Sequence, residues 1–304
     1  MRNLDLTINA SDGTPLAGTL SVPDGTGPHP AVLLLHGSGR LDRDGNAGRL
    51  KQNLGPVLAE SLARQGIASL RYDRRGVGAS PGDWLTTGFA DNRDDAAAAL
   101  DSLAARPDIR RDGIGVVGHS EGALHAMALG SRPGVAAVVL LAGFARSGED
   151  ALNWQADAMA RGLPAPLRPL ARLAVRRVIR LRTPGPDVVR VAGKPMNARW
   201  TREMLSHDTR ADLARIHVPV LAVTGEKDIQ VDPDDLHRID ALVQGTAEVR
   251  RIPGLTHLLR RDPGRPSILF YPRQLRRPVD EELVETTTSW LARTLASGET
   301  ELRR

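Results

Sequence analysis

An α/β fold built on a mostly parallel, doubly wound sheet is predicted by three observations. Short apolar runs alternate along the chain with stretches of helical length and periodicity. Several of those runs, such as Ala31-Val32-Leu33-Leu34-Leu35 and Val135-Ala136-Ala137-Val138-Val139-Leu140-Leu141, are apolar on both faces, as strands covered on two sides must be. One run, Ile114-Gly115-Val116-Val117, passes through a tight turn into a helical pattern, the junction that a parallel crossover requires. A chain of 304 residues, 41% of them hydrophobic, is long enough to bury one large core and carry an insertion.

The elements follow in order. Leu4–Asn9 and Leu16–Val22 read as strands joined through Ser11-Asp12-Gly13, an antiparallel hairpin at a sheet edge. Strand Ala31–Leu35, helix Val57–Gln65, strand Ile67–Tyr72, helix Asn92–Ala105 and strand Ile114–Val117 come next. Ala123–Leu129 reads as a helix closed by Gly130, and Val135–Leu141 as another buried strand. The series breaks there and resumes with strand Val218–Val223, helix Asp234–Val243, strand Ala247–Ile252 and helix Asp280–Leu295. These make an eight-stranded sheet. Residues 147–212 differ in texture, rich in arginine, proline, tryptophan and methionine, too long for a connection and without strand patterns. They are expected to form a helical cap inserted into a core of residues 1–146 and 213–304. Within the cap, a helix over Leu167–Leu181 sets Arg168, Arg172, Arg176 and Arg180 on one face and Leu170, Ala174, Val178 and Leu181 on another. This reads as a solvated basic face over an apolar packing face, with a patch for anionic substrates or a membrane surface as the sharper alternative.

Composition excludes several classes. The chain has no cysteine, which removes disulfides, thiolate zinc sites and cysteine nucleophiles, and no metal-ligand cluster or cofactor motif is visible. The net charge of +5 does not imply nucleic acid, because basic and acidic residues alternate and no aromatic-interleaved basic strand offers a stacking surface. Met1–Leu20 lacks an apolar signal region, and no apolar stretch approaches the roughly eighteen residues of a membrane span. A soluble, cytoplasmic protein without stable membrane insertion is expected, with homo-oligomerisation left open.

The pentapeptide Gly-x-Ser-x-Gly occurs twice, at Gly78-Ala79-Ser80-Pro81-Gly82 and at Gly118-His119-Ser120-Glu121-Gly122. An acyl-transfer serine needs a backbone N–H on the following residue to hold the developing oxyanion, and Pro81 has none. Glu121 has one, and Ser120 lies between a strand and a helix, whereas Ser80 runs into a turn. Ser120 is therefore the expected nucleophile. It needs a histidine as base and an acid to orient that histidine. Of the eight histidines, His257 follows the strand Ala247–Ile252 at the carboxyl edge where the elbow opens. His29 and His217 precede strands, His125 and His237 fall in helices, His207 lies in or beside the cap, and the His119 side chain should diverge from its neighbour's. Asp228 follows the strand Val218–Val223 at the same edge and is the expected acid, with Glu226 and Asp232 as runners-up; Asp234 and Asp235 suit helix capping. A second oxyanion donor is expected from the loop His36-Gly37-Ser38-Gly39, with the Ser38 N–H as donor, Gly37 and Gly39 permitting close approach, and His36 holding the loop.

Taken together, His36–Gly39 with Asp42-Arg43-Asp44, the segment Arg71–Ser80, the Gly118–Gly122 elbow, Asp228 and His257 resemble the α/β-hydrolase superfamily, in particular small bacterial serine carboxylesterases and dienelactone-hydrolase-like proteins. The resemblance spans nearly the whole chain and implies the α/β-hydrolase fold. It implies that Asp73-Arg74-Arg75-Gly76-Val77-Gly78-Ala79-Ser80 is a structural loop near the active-site edge, and it departs from dienelactone hydrolase proper, whose nucleophile is cysteine. The reading is a serine hydrolase of a small-molecule carboxylic ester or thioester, working through an acyl-Ser120 intermediate without a cofactor. An aminopeptidase or amidase and a lactonase share the same residues. A non-catalytic small-molecule receptor on the same fold is the alternative of another class.

Overall fold

Alternate side chains of the central strands enter two different apolar layers, and that alternation organises the molecule. Ala31, Leu33 and Leu35 face one buried cluster, and Val32 and Leu34 face the other. The computed structural model describes residues 1–301 apart from Arg49 and Ala192, and does not describe the side chains of Ala171, Arg172, Ala174, Arg176 and residues 297–301. Eight strands make up the main sheet: β1 (Arg2–Asn9), β2 (Pro15–Val22), β3 (His29–Leu35), β4 (Ala68–Tyr72), β5 (Ile109–His119), β6 (Val135–Leu141), β7 (Val220–Gly225) and β8 (Ala247–Ile252). Their spatial order is β1-β2-β4-β3-β5-β6-β7-β8, antiparallel from β1 to β4 and parallel from there on.

Ten helices are described: α1 (Leu54–Arg64), α2 (Phe89–Ala104), α3 (Glu121–Leu129), α4 (Gly148–Arg161), α5 (Arg168–Ile179), α6 (Ala198–Ser206), α7 (Thr209–Leu213), α8 (Asp235–Leu242), α9 (Tyr271–Gln274) and α10 (Glu281–Glu301). Leucines of α1 and α10 pack with Val32, Leu34, Val117 and Val139 on one face of the sheet. Apolar residues of α2, α3 and α8 pack with Leu33, Val116, Val138 and Val220 on the other.

Three boundaries move for physical reasons. Helix α1 begins ahead of the expected Val57, since Pro56 lies in its first turn, where a missing N–H costs nothing. Helix α2 begins at Phe89 because the Asp91 carboxylate accepts the Gly88 N–H at 2.9 Å and closes the helix start there. Strand β5 is longer than its apolar run, extended backwards so that Ile109 pairs with His29.

Residues 147–212, inserted between β6 and β7, hold α4, α5, α6 and most of α7. They also hold an antiparallel ribbon of Val188–Val191 with Lys194–Asn197, which corrects the expectation of a segment without strands. The β-branched Val188-Val189-Arg190-Val191 suits a strand, and Gly193 supplies the positive φ of 78° that turns it. On the packing face expected over Leu167–Leu181, Leu170 is 64% exposed, Val178 and Leu181 are half-buried with Val178 lining a cavity, and the Ala174 side chain lies outside the described residues. The arginine stripe includes Arg172 and Arg176, whose side chains lie outside the described residues. Asp234 occupies the N-cap position of α8 and Asp235 its first turn, as expected; the Asp234 side chain makes no capping hydrogen bond, and the two pair with Arg251 and with Arg146 and Arg238 respectively.

Candidate active site

The carboxyl ends of β3, β5, β6, β7 and β8 meet at one edge of the sheet, and the loops leaving them are fastened to one another. Strand β5 passes into α3 through Ser120, which has φ 54° and ψ −119° and donates its N–H to the Leu141 carbonyl at the end of β6. A non-glycine residue in that region is strained, and the packing here leaves it no alternative. A Cβ on Gly118 would lie 2.0 Å from the Gly122 oxygen, and one on Gly122 would lie 2.2 Å from the Leu35 oxygen. Both flanking glycines are thus demanded by close approach of β3, β5 and α3. The loops after β7 and β8 are joined in the same way: Glu226 N donates to Ile252 O at 3.0 Å and Lys227 N to Leu255 O at 2.9 Å.

This stitching brings together three side chains that are far apart in sequence. The Ser120 hydroxyl lies 3.0 Å from His257 Nε2, and His257 Nδ1 lies 2.8 Å from Asp228 Oδ2. With the Nδ1–H donated to a carboxylate, the Nε2 lone pair faces the Ser120 hydroxyl. The other Asp228 oxygen accepts the N–H groups of Gln230 at 2.7 Å and Val231 at 2.9 Å, which fixes the carboxylate on its own loop. Asp228 and His257 are buried. Neither runner-up joins them: Glu226 accepts the Gly254 N–H, and Asp232 pairs with Arg146.

The loop after β3 lies against the elbow. A Cβ on Gly37 would come within 3.3 Å of the Ser120 Cβ, and Ser38 lines the same small chamber as Ser120, Glu121 and His257. Gly39, with φ 101°, borders the adjoining cavity. His36 is held by its Nε2 contact with the Arg43 carbonyl at 2.5 Å, while Arg74 donates to the His36 carbonyl at 2.6 Å. Burial, assisted by the Arg74 cation, lowers the His36 pKa to about 4, so the ring is neutral and structural at neutral pH.

Two residues near the serine acquire roles that their positions in the chain did not reveal. His119 turns away from Ser120, and its Nε2–H donates to the His257 carbonyl at 2.9 Å, supporting that loop from below. Burial and the neighbouring His257 lower its pKa to about 3. The Glu121 carboxylate is buried and accepts from Arg74 Nη1 at 3.0 Å, Asn92 Nδ2 at 3.1 Å, His125 Nε2 at 3.1 Å and Trp200 Nε1 at 3.0 Å. Burial opposes this charge, but Arg74 and the hydrogen bonds from His125 and Trp200 outweigh it and hold the pKa at about 2. The sequence signal that existed was Glu121–His125, an i, i+4 pair on one helix face. Trp200, from α6, could not be found that way. The remaining histidines stay apart from the serine: His207 packs against Phe89 with ring centroids 5.1 Å apart, and His237 is exposed on α8.

One chamber opens at the serine, and a second adjoins it through shared walls. The smaller, of about 90 Å³, is lined by Ser120, His257, Ser38, Leu124 and Phe144 among others; the larger, of about 350 Å³, by Trp84, Met196, Val178 and Arg74. Leu152, Gln155, Trp200 and Met204 of the inserted segment border both. Among the described residues, no three His, Cys, Asp or Glu side chains gather as metal ligands, and no helix is long and apolar enough to cross a membrane.

Comparison with known proteins agrees with this architecture. The family described as serine aminopeptidase, S33, matches residues 28–264. Esterase EstD of Thermotoga maritima is 27% identical over 296 residues, covering 95% of this chain and 67% of that one. The 2,6-dihydropseudooxynicotine hydrolase of Paenarthrobacter nicotinovorans is 31% identical over 134 residues, 44% of this chain and 33% of that one. Among solved structures, Est1E of Butyrivibrio proteoclasticus with bound ferulic acid superposes with a TM-score of 0.67 at 19% identity, covering 96% of this chain and 99% of that one. The last likeness shows the α/β-hydrolase fold, with its eight-stranded sheet and amino-terminal hairpin.

Proposed function

We propose, for a chain that belongs to the serine aminopeptidase S33 family of α/β-hydrolases, the hydrolysis of a small-molecule carboxylic ester or thioester through an acyl-Ser120 intermediate. The observation that carries this reading is the hydrogen-bonded run from Ser120 through His257 to Asp228, at 3.0 and 2.8 Å. In the first step Ser120 Oγ bonds to the substrate carbonyl carbon, the carbonyl π electrons move to its oxygen, and the serine proton passes to His257 Nε2. Asp228 keeps the Nδ1 proton in place and stabilises the imidazolium. The oxyanion is received by the amide N–H groups of Ser38 and Glu121, the latter at the positive end of the α3 dipole. Collapse of the intermediate breaks the bond to the leaving group, which takes the proton from His257. Water then attacks the acyl carbon and gives a proton to His257; the bond from that carbon to Ser120 Oγ breaks, Oγ takes the proton back from His257, and the acid is released.

The family description raises the aminopeptidase alternative, and the lining of the two chambers argues against it. An aminopeptidase must hold a free α-ammonium near the scissile carbonyl, which calls for a carboxylate with acceptor capacity to spare. Glu121 is the one acidic residue among the described lining residues, and its oxygens already accept four hydrogen bonds. The name of the relative at 27% identity, an esterase, points the same way.

A panel of neutral esters, thioesters and aminoacyl arylamides, with labelling by a fluorophosphonate probe, tests the assignment. Turnover of esters or thioesters above arylamides is expected, with labelling abolished in Ser120→Ala. Preference for arylamides with a free amino terminus would establish the aminopeptidase instead, and absence of steady turnover on every substrate would favour the receptor.

A further inference from the structure

We propose that the larger chamber seats one bulky, uncharged, apolar group of the substrate, an inference that rests on the esterase reading. Apolar and aromatic side chains dominate its wall: Trp84 and Trp200, Met196 and Met204, Leu152 and Val178. At about 350 Å³ it lies at the lower end of the range for small-molecule sites, large enough for a bicyclic aromatic or a branched alkyl group.

Among the described residues, three charged ones border the chamber, and each has its charge answered within the protein. Arg74 is paired with Glu121 at 3.0 Å, and Arg75 with Asp95 at 2.7 Å and with Asp12 at 2.5 Å. Arg40 stacks 6.0 Å from the Trp84 ring centroid but is not part of the lining. The polar amides are equally committed. Asn92 donates to Glu121, and Asn197 Nδ2 donates to the carbonyls of Trp84 and Thr87, both at 2.7 Å. A ligand carboxylate entering here would lose its water without gaining an unpaired cation, so the chamber should reject anions. Among the described residues, those that the arginine-rich inserted segment turns towards the chamber are uncharged.

The wall is also fixed in place. Trp200 stands between the two chambers, with its indole N–H tied to Glu121 and its helix tied to the start of α2. Glu203 accepts the Ala90 N–H at 2.9 Å, and Arg199 pairs with Asp91 at 2.9 Å. The cavity is thus formed before a substrate arrives, and its shape can discriminate.

Two pairs of esters test this and separate the acyl from the alcohol side. Methyl 2-naphthoate is compared with the monomethyl ester of a naphthalene dicarboxylate, and 2-naphthyl acetate with the acetate of a hydroxynaphthoate. On the side that enters the chamber, the neutral member should exceed its anionic counterpart at least tenfold in kcat/KM. Filling the chamber with Met196→Trp, or with Val178→Phe should the first variant not fold, should lower kcat/KM for that neutral substrate at least tenfold more than for methyl acetate. Equal turnover of neutral and anionic members, or an equal fall for large and small esters, would overturn the proposal. Binding to Ser120→Ala, measured by calorimetry, provides an arm that needs no turnover. 2-Naphthamide should bind at least tenfold more tightly than 2-naphthoate, and the added Met196→Trp change should abolish the difference; equal affinities would overturn the chamber assignment. Tight naphthamide binding without turnover of any ester would instead sink the esterase reading and leave the chamber standing.

Discussion

The two Gly-x-Ser-x-Gly segments invite direct comparison, because the same five-residue pattern distributes strain and hydrogen bonding in opposite ways. At Gly118–Gly122 the serine carries the positive φ, the glycines give room for neighbouring backbone, and the hydroxyl faces a histidine nitrogen. At Gly78–Gly82 the glycines carry the positive φ, at 56° and 111°. The Ser80 hydroxyl there is consumed by the fold, donating to Asp73 O at 2.7 Å and accepting the Ala17 N–H at 2.9 Å. Asp73 is itself committed to Arg43 and the Ala79 N–H, and a Cβ on Gly78 would fall 2.2 Å from its carboxylate. A serine becomes available for chemistry when the backbone strains to present it and nothing in the fold uses its hydroxyl.

Exchanging the serines should break the comparison most sharply. Ser120→Ala is expected to lower kcat/KM on any ester substrate roughly 10³-fold or more, about 4 kcal/mol of barrier, with an unchanged melting temperature. Ser80→Ala should reverse the pattern, leaving kcat/KM within about threefold while costing about 1–3 kcal/mol of stability, since it leaves the Ala17 N–H unanswered. If Ser80→Ala inactivated the enzyme as fully as Ser120→Ala, the two segments would not have the separate roles described. Next in size, Gly122→Ala drives a methyl group into the Leu35 carbonyl and must displace β3 or α3. A fall of roughly 10²-fold in kcat/KM is expected from the misplaced serine, even in the fraction that folds, as measured on protein purified by size exclusion.

Acid should separate the two regions by a smaller margin. His119 beneath the elbow is lowered from 6.5 to about 3, so between those values the unfolded chain binds a proton that the folded one does not. Its contribution to stability is complete above pH 6.5 and declines as pH falls through that window, by about 2 kcal/mol at pH 5. Asp73, in the decoy loop, is lowered from 3.8 despite burial, through Arg43 and the Ala79 N–H, so its contribution is lost only below that value. Chemical denaturation at pH 7 and pH 5 should show a loss that is relieved by about 2 kcal/mol in His119→Asn. An equal loss in both proteins would show that His119 does not titrate as its burial implies.

Much of the fold was legible because its signals are local. The solid apolar run Val135–Leu141 coincides with its strand end to end, since a strand covered on both faces has no position for a polar residue until it leaves the sheet. Helix starts were less legible where a proline or a distant-looking acid sets them, as at Pro56 and Asp91. Proline at position 81 was the most informative single residue, because its missing N–H is a covalent property that distinguishes the two pentapeptides whatever the chain around them does. By contrast, Val188–Val191 was missed as a strand because a two-stranded ribbon on a cap lacks the doubly buried run that marks the others.

The sequence by itself determined the strand and helix alternation, the nucleophile candidate, and the carboxyl-edge positions of Asp228 and His257, because each follows from backbone chemistry or from the rule that parallel strands end at one edge. Only the tertiary structure decided which groups surround Ser120. The four donors on Glu121, the support of His257 by His119, and the chamber walled by described uncharged residues of the inserted segment together with core residues each join residues distant in the chain. They depend on Coulomb interactions and hydrogen bonds that exist only once packing has removed the water between them.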